Sequence, residues 1–171
     1  MEYKLLTTNQ KRPPIIRETI LIKWNPPEPN TYKLNMDGSC LENPGKGGIG
    51  GIIRRGNGEC VLGEQLPPLT IETDCKELIN LIDNKNCSYN LISDCRCLLI
   101  RARDPPPHHV CREANQAADS MAKNGSSLPV LGSLMTYLIP PTFVISILER
   151  DKLGTTCPRT IPVCNELCND S

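Results

Sequence analysis

Aromatic side chains are scarce, with one Trp, one Phe and four Tyr in 171 residues, while Pro occurs sixteen times. That balance excludes a dense core over the whole length and leaves room for one ordinary domain with proline-broken tails. Net charge is missing too, since 19 basic side chains offset 19 acidic ones. A strongly basic nucleic-acid module is thereby excluded, although a local basic face is not. No Cys-x2-Cys pair occurs among the ten Cys, and His108 and His109 are adjacent rather than spaced like zinc-finger ligands. The opening "MEYKLLTTNQKRPP" lacks the apolar run of a signal peptide. Reduced thiols and an intracellular location, nucleus or cytoplasm, are the expectation.

Charge vanishes altogether from Asn124 to Leu148, a length that would span a bilayer. Pro140-Pro141 lies inside that stretch, and Gly, Ser and Thr interrupt it. No membrane partner is therefore expected, and residues 126–171 are predicted to form a poorly ordered C-terminal tail. Residues 1–23 read as an N-terminal linker, which leaves 24–125 as the domain.

Inside that domain the periodicities change in order. Tyr32, Leu34 and Met36 alternate with Lys33, Asn35 and Asp37, as in a half-buried strand. "NPGKGGIG" predicts a turn whose glycines run into a second strand, and "GNGE" predicts another turn into Cys60-Val61-Leu62. "LTIETD" then reads as a fourth strand. Cys75, Leu78, Ile79 and Ile82 share one helical face, and Leu91, Ile92, Cys95, Leu98 and Leu99 share another over 88–103. "DPPP" stops the second helix. "HHVC" suits a short buried strand, and "NQAADSMAKNG" a small-residue helix with Asn115 as its N-cap and Gly125 as its stop. The fold class is α+β (α/β), with a mixed sheet and flanking helices.

Three acids stand out by position. Asp37 is expected at the end of the first strand, Asp74 at the end of the fourth, and Asp119 one turn inside the last helix. Should these elements bring them together, the carboxylates repel one another, and Mg²⁺, which prefers oxygen ligands, is the natural remedy. Singly, each has a quieter explanation: a turn at Asp37-Gly38, a capping box from Asp74 to Glu77, a solvated helix position for Asp119.

Taken together, "KWNPPEPNTYKLNMDGSCLENPGKGGIGGIIRRGNG", "IETDCKELI" and "HVCREANQAADSMAKNG" resemble the ribonuclease H-like domains attached to plant retroelement reverse transcriptases. The resemblance covers about residues 23–125, and "FVISILERDKLG" resembles the tail such proteins carry. It implies a five-stranded mixed sheet flanked by helices. It also implies Mg²⁺-dependent endonucleolytic hydrolysis of the RNA strand of RNA–DNA hybrids by an Asp, Glu, Asp, Asp set. Asp37 corresponds to the first acid, Asp74 to the third and Asp119 to the fourth, so these three are the implied catalytic and metal-binding residues. Arg112 and Asn115 are the implied nucleic-acid contacts. Lys46, Arg54 and Arg55 are further candidates for phosphate contact.

The second acid of the family lies on a long helix between the third and fourth strands. Here "GEQLPPLT" is all that separates Leu62 from Ile71; Glu64 is the sole acid there, and Pro67-Pro68 forbid a helix after it. One family helix is deleted. The chain can still cross three inter-strand gaps of ~14–15 Å in total, because six extended residues reach ~20 Å. The sheet face which that helix covers is expected to be left open. Three expectations follow: a hybrid-binding domain with weak or lost hydrolysis, a fully active hybrid ribonuclease in which Glu64 or a partner chain replaces the acid, or a non-catalytic, partly folded retroelement remnant.

Overall fold

Alternation at Tyr32–Asp37 does produce a strand, and its neighbours follow from the same pattern. The computed structural model describes residues 16–42, 45–61, 68–87, 89–103, 105–130 and 132–163. Strand β1 is Arg17–Ile22, β2 is Tyr32–Cys40, β3 is Gly47–Arg54 and β4 is Leu69–Thr73. Helices α1, Lys76–Asp83, and α2, Asn90–Arg101, precede β5, Pro107–His109. A 3-10 turn at Arg112–Ala114 leads into α3, Gln116–Ser126, followed by α4, Thr142–Lys152, and β6, Cys157–Pro162. The protein has a mixed α+β fold of the ribonuclease H-like kind.

The main sheet runs β3-β2-β4-β5. Strand β2 pairs antiparallel with β3, with Asp37 opposite Gly50, and parallel with β4, with Met36 beside Thr73. Strand β5 is parallel to β4. Beyond β3 only one bridge, Arg54 to Cys60, stands where a further strand is predicted. Gly58 makes the intervening turn with φ of +77°, a backbone region that suits glycine. Residues 62–67, with Glu64 and the shortened crossing, lie outside the described residues.

Glycines 48 and 50 are not turn residues, contrary to the expectation from "NPGKGG". Both lie within β3, flush against α3. A Cβ on Gly48 would stand 2.0 Å from the Ser126 nitrogen, and one on Gly50 would stand 2.1 Å from the Ala122 nitrogen. The helix answers with small side chains, and Ala117, Ala118, Ala122 and Ser126 are buried. Gly125 belongs to this contact rather than stopping the helix, which runs on to Ser126. Helix and sheet therefore approach more closely than a layer of large side chains allows.

Two boundaries differ from the expected ones. Chain contacts divide the protein into one unit of Ile22–Cys157 and another of Met1–Leu21 with Pro158–Ser171. The second unit contains most of β1 and β6, which form their own two-stranded sheet, so part of the expected linker is a strand. Within the first unit, α4 buries Val144 and Leu148 beside Ile52 and Ala117. Residues 142–157 thus belong to the folded unit and not to a loose tail. The physical reason is the i, i+4 spacing of Val144 and Leu148, which gives α4 an apolar stripe. Among the described residues, no helix is long and apolar enough to cross a membrane.

On the sheet face away from α3, Ile49 is 79% exposed, while Gly47 and Gly51 share that side of β3. Glycine at two of these positions keeps the exposed apolar surface of the strand small. Over β4 and β5, Ile71 and Thr73 are buried, as is Ile92 of α2. Leu98, predicted on the buried face of α2, is exposed instead. Arg96 of α2 closes the C-terminal end of α1, donating to the carbonyls of Leu81, Ile82, Asn84 and Cys87 at 2.7–2.9 Å. These carbonyls lack helical partners and α1 has no basic residue in its last turn, so the guanidinium satisfies both needs.

Candidate nucleic-acid and metal site

The parallel pairing of β2 and β4 places Asp37 and Asp74 side by side. Asp37 does not end its strand, as expected; β2 continues to Cys40, and Asp37 marks where the neighbouring β4 stops. Asp74 is the first residue after β4. The two carboxyl groups are close enough to interact. Asp37 also accepts a hydrogen bond from the Gly38 amide at 2.8 Å. Its carboxyl is pushed above the ordinary carboxylate range, first by burial, against the pull of that amide, and then by the charge and hydrogen bonding of Asp74 and the charge of Asp119.

Asn115 links the three elements. It occupies the N-cap position of α3, yet its side chain caps nothing. The Nδ2 group instead donates to Met36 O at 3.1 Å and to Asp74 Oδ1 at 3.3 Å, tying α3 to the ends of β2 and β4. Asn115 is fully buried. Its Oδ1 is buried without a hydrogen-bond partner.

Asp119 sits in the first turn of α3 and is turned towards cations. Its Oδ1 accepts from Arg112 at 3.2 Å and its Oδ2 pairs with Lys123 at 2.6 Å. Lys123 drew no attention in the sequence, though its i, i+4 spacing from Asp119 is the signal for such a pair. Arg112 is largely exposed at 68% of its side chain. Lys46 and Arg55 are exposed as well, Arg55 lying 5.9 Å from the Tyr32 ring centre. Arg54 is not available to phosphate; it is 1% exposed and pairs with Asp151. The histidines of β5 are exposed.

Hard carboxylate and amide oxygens are the donor type that Mg²⁺ takes, and Asn115, whose Oδ1 is orphaned, contacts one such carboxylate, Asp74. The cage is only half assembled, however. Among the described residues, no three His, Cys, Asp or Glu side chains form a group able to hold a metal ion. Two of the expected ligands meet, and the third is held by Lys123 and Arg112.

Neighbouring aspartates on adjacent parallel strands, with a third on a helix packed over the same sheet, are consistent with a ribonuclease H-like fold. The family described as reverse transcriptase-like matches residues 60–125, which agrees with a ribonuclease H-like domain. The match takes in Asp74, Arg112, Asn115 and Asp119, while Asp37 precedes it. Neither the curated proteins nor the solved structures gave a match.

The raised carboxyl of Asp37 gives a stability prediction with a definite sign. Its ordinary value is 3.8 and its folded value is higher, so between the two the folded chain binds more protons than the unfolded one. Stability from this group is greatest at low pH and falls as pH rises through that window. Burial also raises Asp151, which acts in the same direction, so a variant is needed to separate them. In urea unfolding without divalent metal, Asp37→Asn should raise the midpoint at pH 7 and reduce the fall between pH 4.5 and 7. A lower midpoint at pH 7 would show that the Asp37 charge is stabilised by its surroundings.

Proposed function

We propose that this domain binds RNA–DNA hybrids through exposed cations, with Mg²⁺-dependent hydrolysis of the RNA strand weakened or lost. The observation that carries the reading is the split state of the acids, with Asp37 beside Asp74 and Asp119 paired to Lys123 and Arg112. Asp37, Asp74 and Asp119 would hold Mg²⁺. When bound, the ion would supply water activation and charge stabilisation at the scissile phosphate. Asn115 donates to Asp74, and Arg112 is an exposed cation 3.2 Å from Asp119. With the family's Glu-bearing helix deleted, three carboxylates can retain one ion but hold a second poorly.

The test uses the full chain with a labelled RNA–DNA hybrid and Mg²⁺. Binding should weaken as salt rises, as phosphate contacts require, with little cleavage. Arg112→Ala should weaken binding by about threefold to tenfold, the loss of one phosphate contact. Efficient cleavage that Asp37→Asn abolishes would overturn the claim of impaired hydrolysis. Failure to bind hybrid at low salt would overturn the nucleic-acid reading itself.

A further inference from the structure

Asp119 differs from its two companions in already having counter-ions. Each of its oxygens faces one cation: Oδ1 faces Arg112 and Oδ2 faces Lys123. Asp119 itself is only 17% exposed at its side chain, whereas Lys123 is 58% and Arg112 is 68% exposed. The acid is fixed on a packed helix, and the bases are mobile arms in water. Beside them opens a cleft of about 420 Å³, lined by Arg112, Glu113, Gln116, Asp119, Ser120, Lys123 and Ile147.

Carboxylates near one another repel unless something neutralises them. Asp37 and Asp74 lie close to each other. Asp119 is neutralised from outside, by side chains that can swing away at small cost because solvent-exposed pairs are weak. We propose that Lys123 and Arg112 are displaceable counter-ions of Asp119, which occupy its carboxylate until a divalent cation takes their place. The inference rests on the reading of Asp37, Asp74 and Asp119 as a cation site. It makes Lys123 and Arg112 positioning residues that set metal affinity while binding no metal themselves.

The experiment measures Mn²⁺ binding to the full chain at pH 7.5, by calorimetry and by the paramagnetic signal of the free ion. Lys123→Met removes one competitor and one nearby positive charge. It should tighten binding about threefold to tenfold, the effect of one charge a few ångströms away in a mostly aqueous setting. Lys123→Arg keeps the charge and should leave affinity near the wild-type value. In an Asp119→Asn background, Lys123→Met should lose most of its effect, since there is no carboxylate to release. Unchanged or weaker binding in Lys123→Met, with Mn²⁺ still lost on Asp37→Asn, overturns the counter-ion role and spares the site. If Mn²⁺ binding is indifferent to Asp37→Asn and Asp74→Asn, even with Lys123→Met present, the site reading fails and the inference with it. Circular-dichroism melts of each variant identify any that lose binding by unfolding.

Discussion

Gly50→Ala should destabilise the domain by about 3 kcal/mol or more, at the upper end for one added methyl group in a packed core. The new Cβ would stand 2.1 Å from the Ala122 nitrogen, 2.4 Å from the Met121 carbonyl carbon and 2.7 Å from the Ala122 Cα. All three are backbone atoms, so no rotamer change relieves the contact. Helix α3 would have to retreat by roughly 1 Å, opening voids around Ala118 and Ala122 and forfeiting dispersion contacts along the interface. For a folded unit of this size the melting temperature should fall by roughly 10 °C. The same retreat would lengthen the Asn115 hydrogen bond to Met36 O, now 3.1 Å, and loosen Asp74 with it. Gly51→Ala is the internal control. Its Cβ meets only the Leu34 Cδ1 at 3.3 Å and the Asn35 O at 3.8 Å, so its melt should lie close to the wild type. Equal melts for the two variants would mean that α3 does not rest on the glycine face of β3.

How much of this was legible depends on how far apart the partners lie. Alternation from Tyr32 to Asp37 is a local signal, and it gave the right strand but not the buried residues, which are Lys33 and Asn35 rather than Tyr32, Leu34 and Met36. The small-residue run of α3 and the neighbouring proline stop after α2 were equally local. Gly48 and Gly50 looked like turn residues because glycine in one strand reveals nothing about a helix seventy residues on. Their meaning lies in the pairing with Ala122 and Ser126, a contact between distant segments. Arg54 failed for the same reason, since a lone arginine at a strand end reads as solvated until its buried partner is known. In α4 the local signal was present, with Val144 and Leu148 one turn apart, but the uncharged stretch before it masked the helix.

Asp37, Asp74 and Asp119 come from elements that do meet at one end of the sheet, and Asn115 lies among them. What position in the sequence left out was the side-chain state. Asp119 points to Lys123 and Arg112, Asn115 reaches inwards to Met36 and Asp74, and Asp37 lies mid-strand. The pairing of Asp119 with Lys123 follows from spacing, because a carboxylate on a helix surface takes the nearest i, i+4 base when nothing stronger competes.

The second large effect concerns the Arg54–Asp151 pair. Arg54 Nη1 donates to Asp151 Oδ2 at 2.6 Å, and Nη2 donates to Asn35 Oδ1 at 2.8 Å. The guanidinium lies 3.8 Å from the centre of the Trp24 ring, and the Trp24 indole also donates to Asn35 Oδ1, at 3.0 Å. Burial pushes the arginine below its ordinary pKa and pushes Asp151 above its own, so desolvation opposes the charge on both partners. Such a pair adds little net stability, yet breaking it leaves a buried charge. Asp151→Ala should therefore cost about 3–5 kcal/mol, because Arg54 is 1% exposed and its Nε already lacks a partner. The loss would also release α4, with Val144 and Leu148, from the core it completes. Replacing both members, as Arg54→Met with Asp151→Leu, should recover most of the loss, since it removes the charge and keeps the volume. Urea unfolding followed by fluorescence checks this directly, because Trp24, the chain's one tryptophan, lies against the pair. A cost below about 1 kcal/mol for Asp151→Ala is what an exposed pair would give, and it would mean that α4 is not fastened here. A double variant as unstable as the single one would instead assign the role to the shape of the two side chains rather than to their charge.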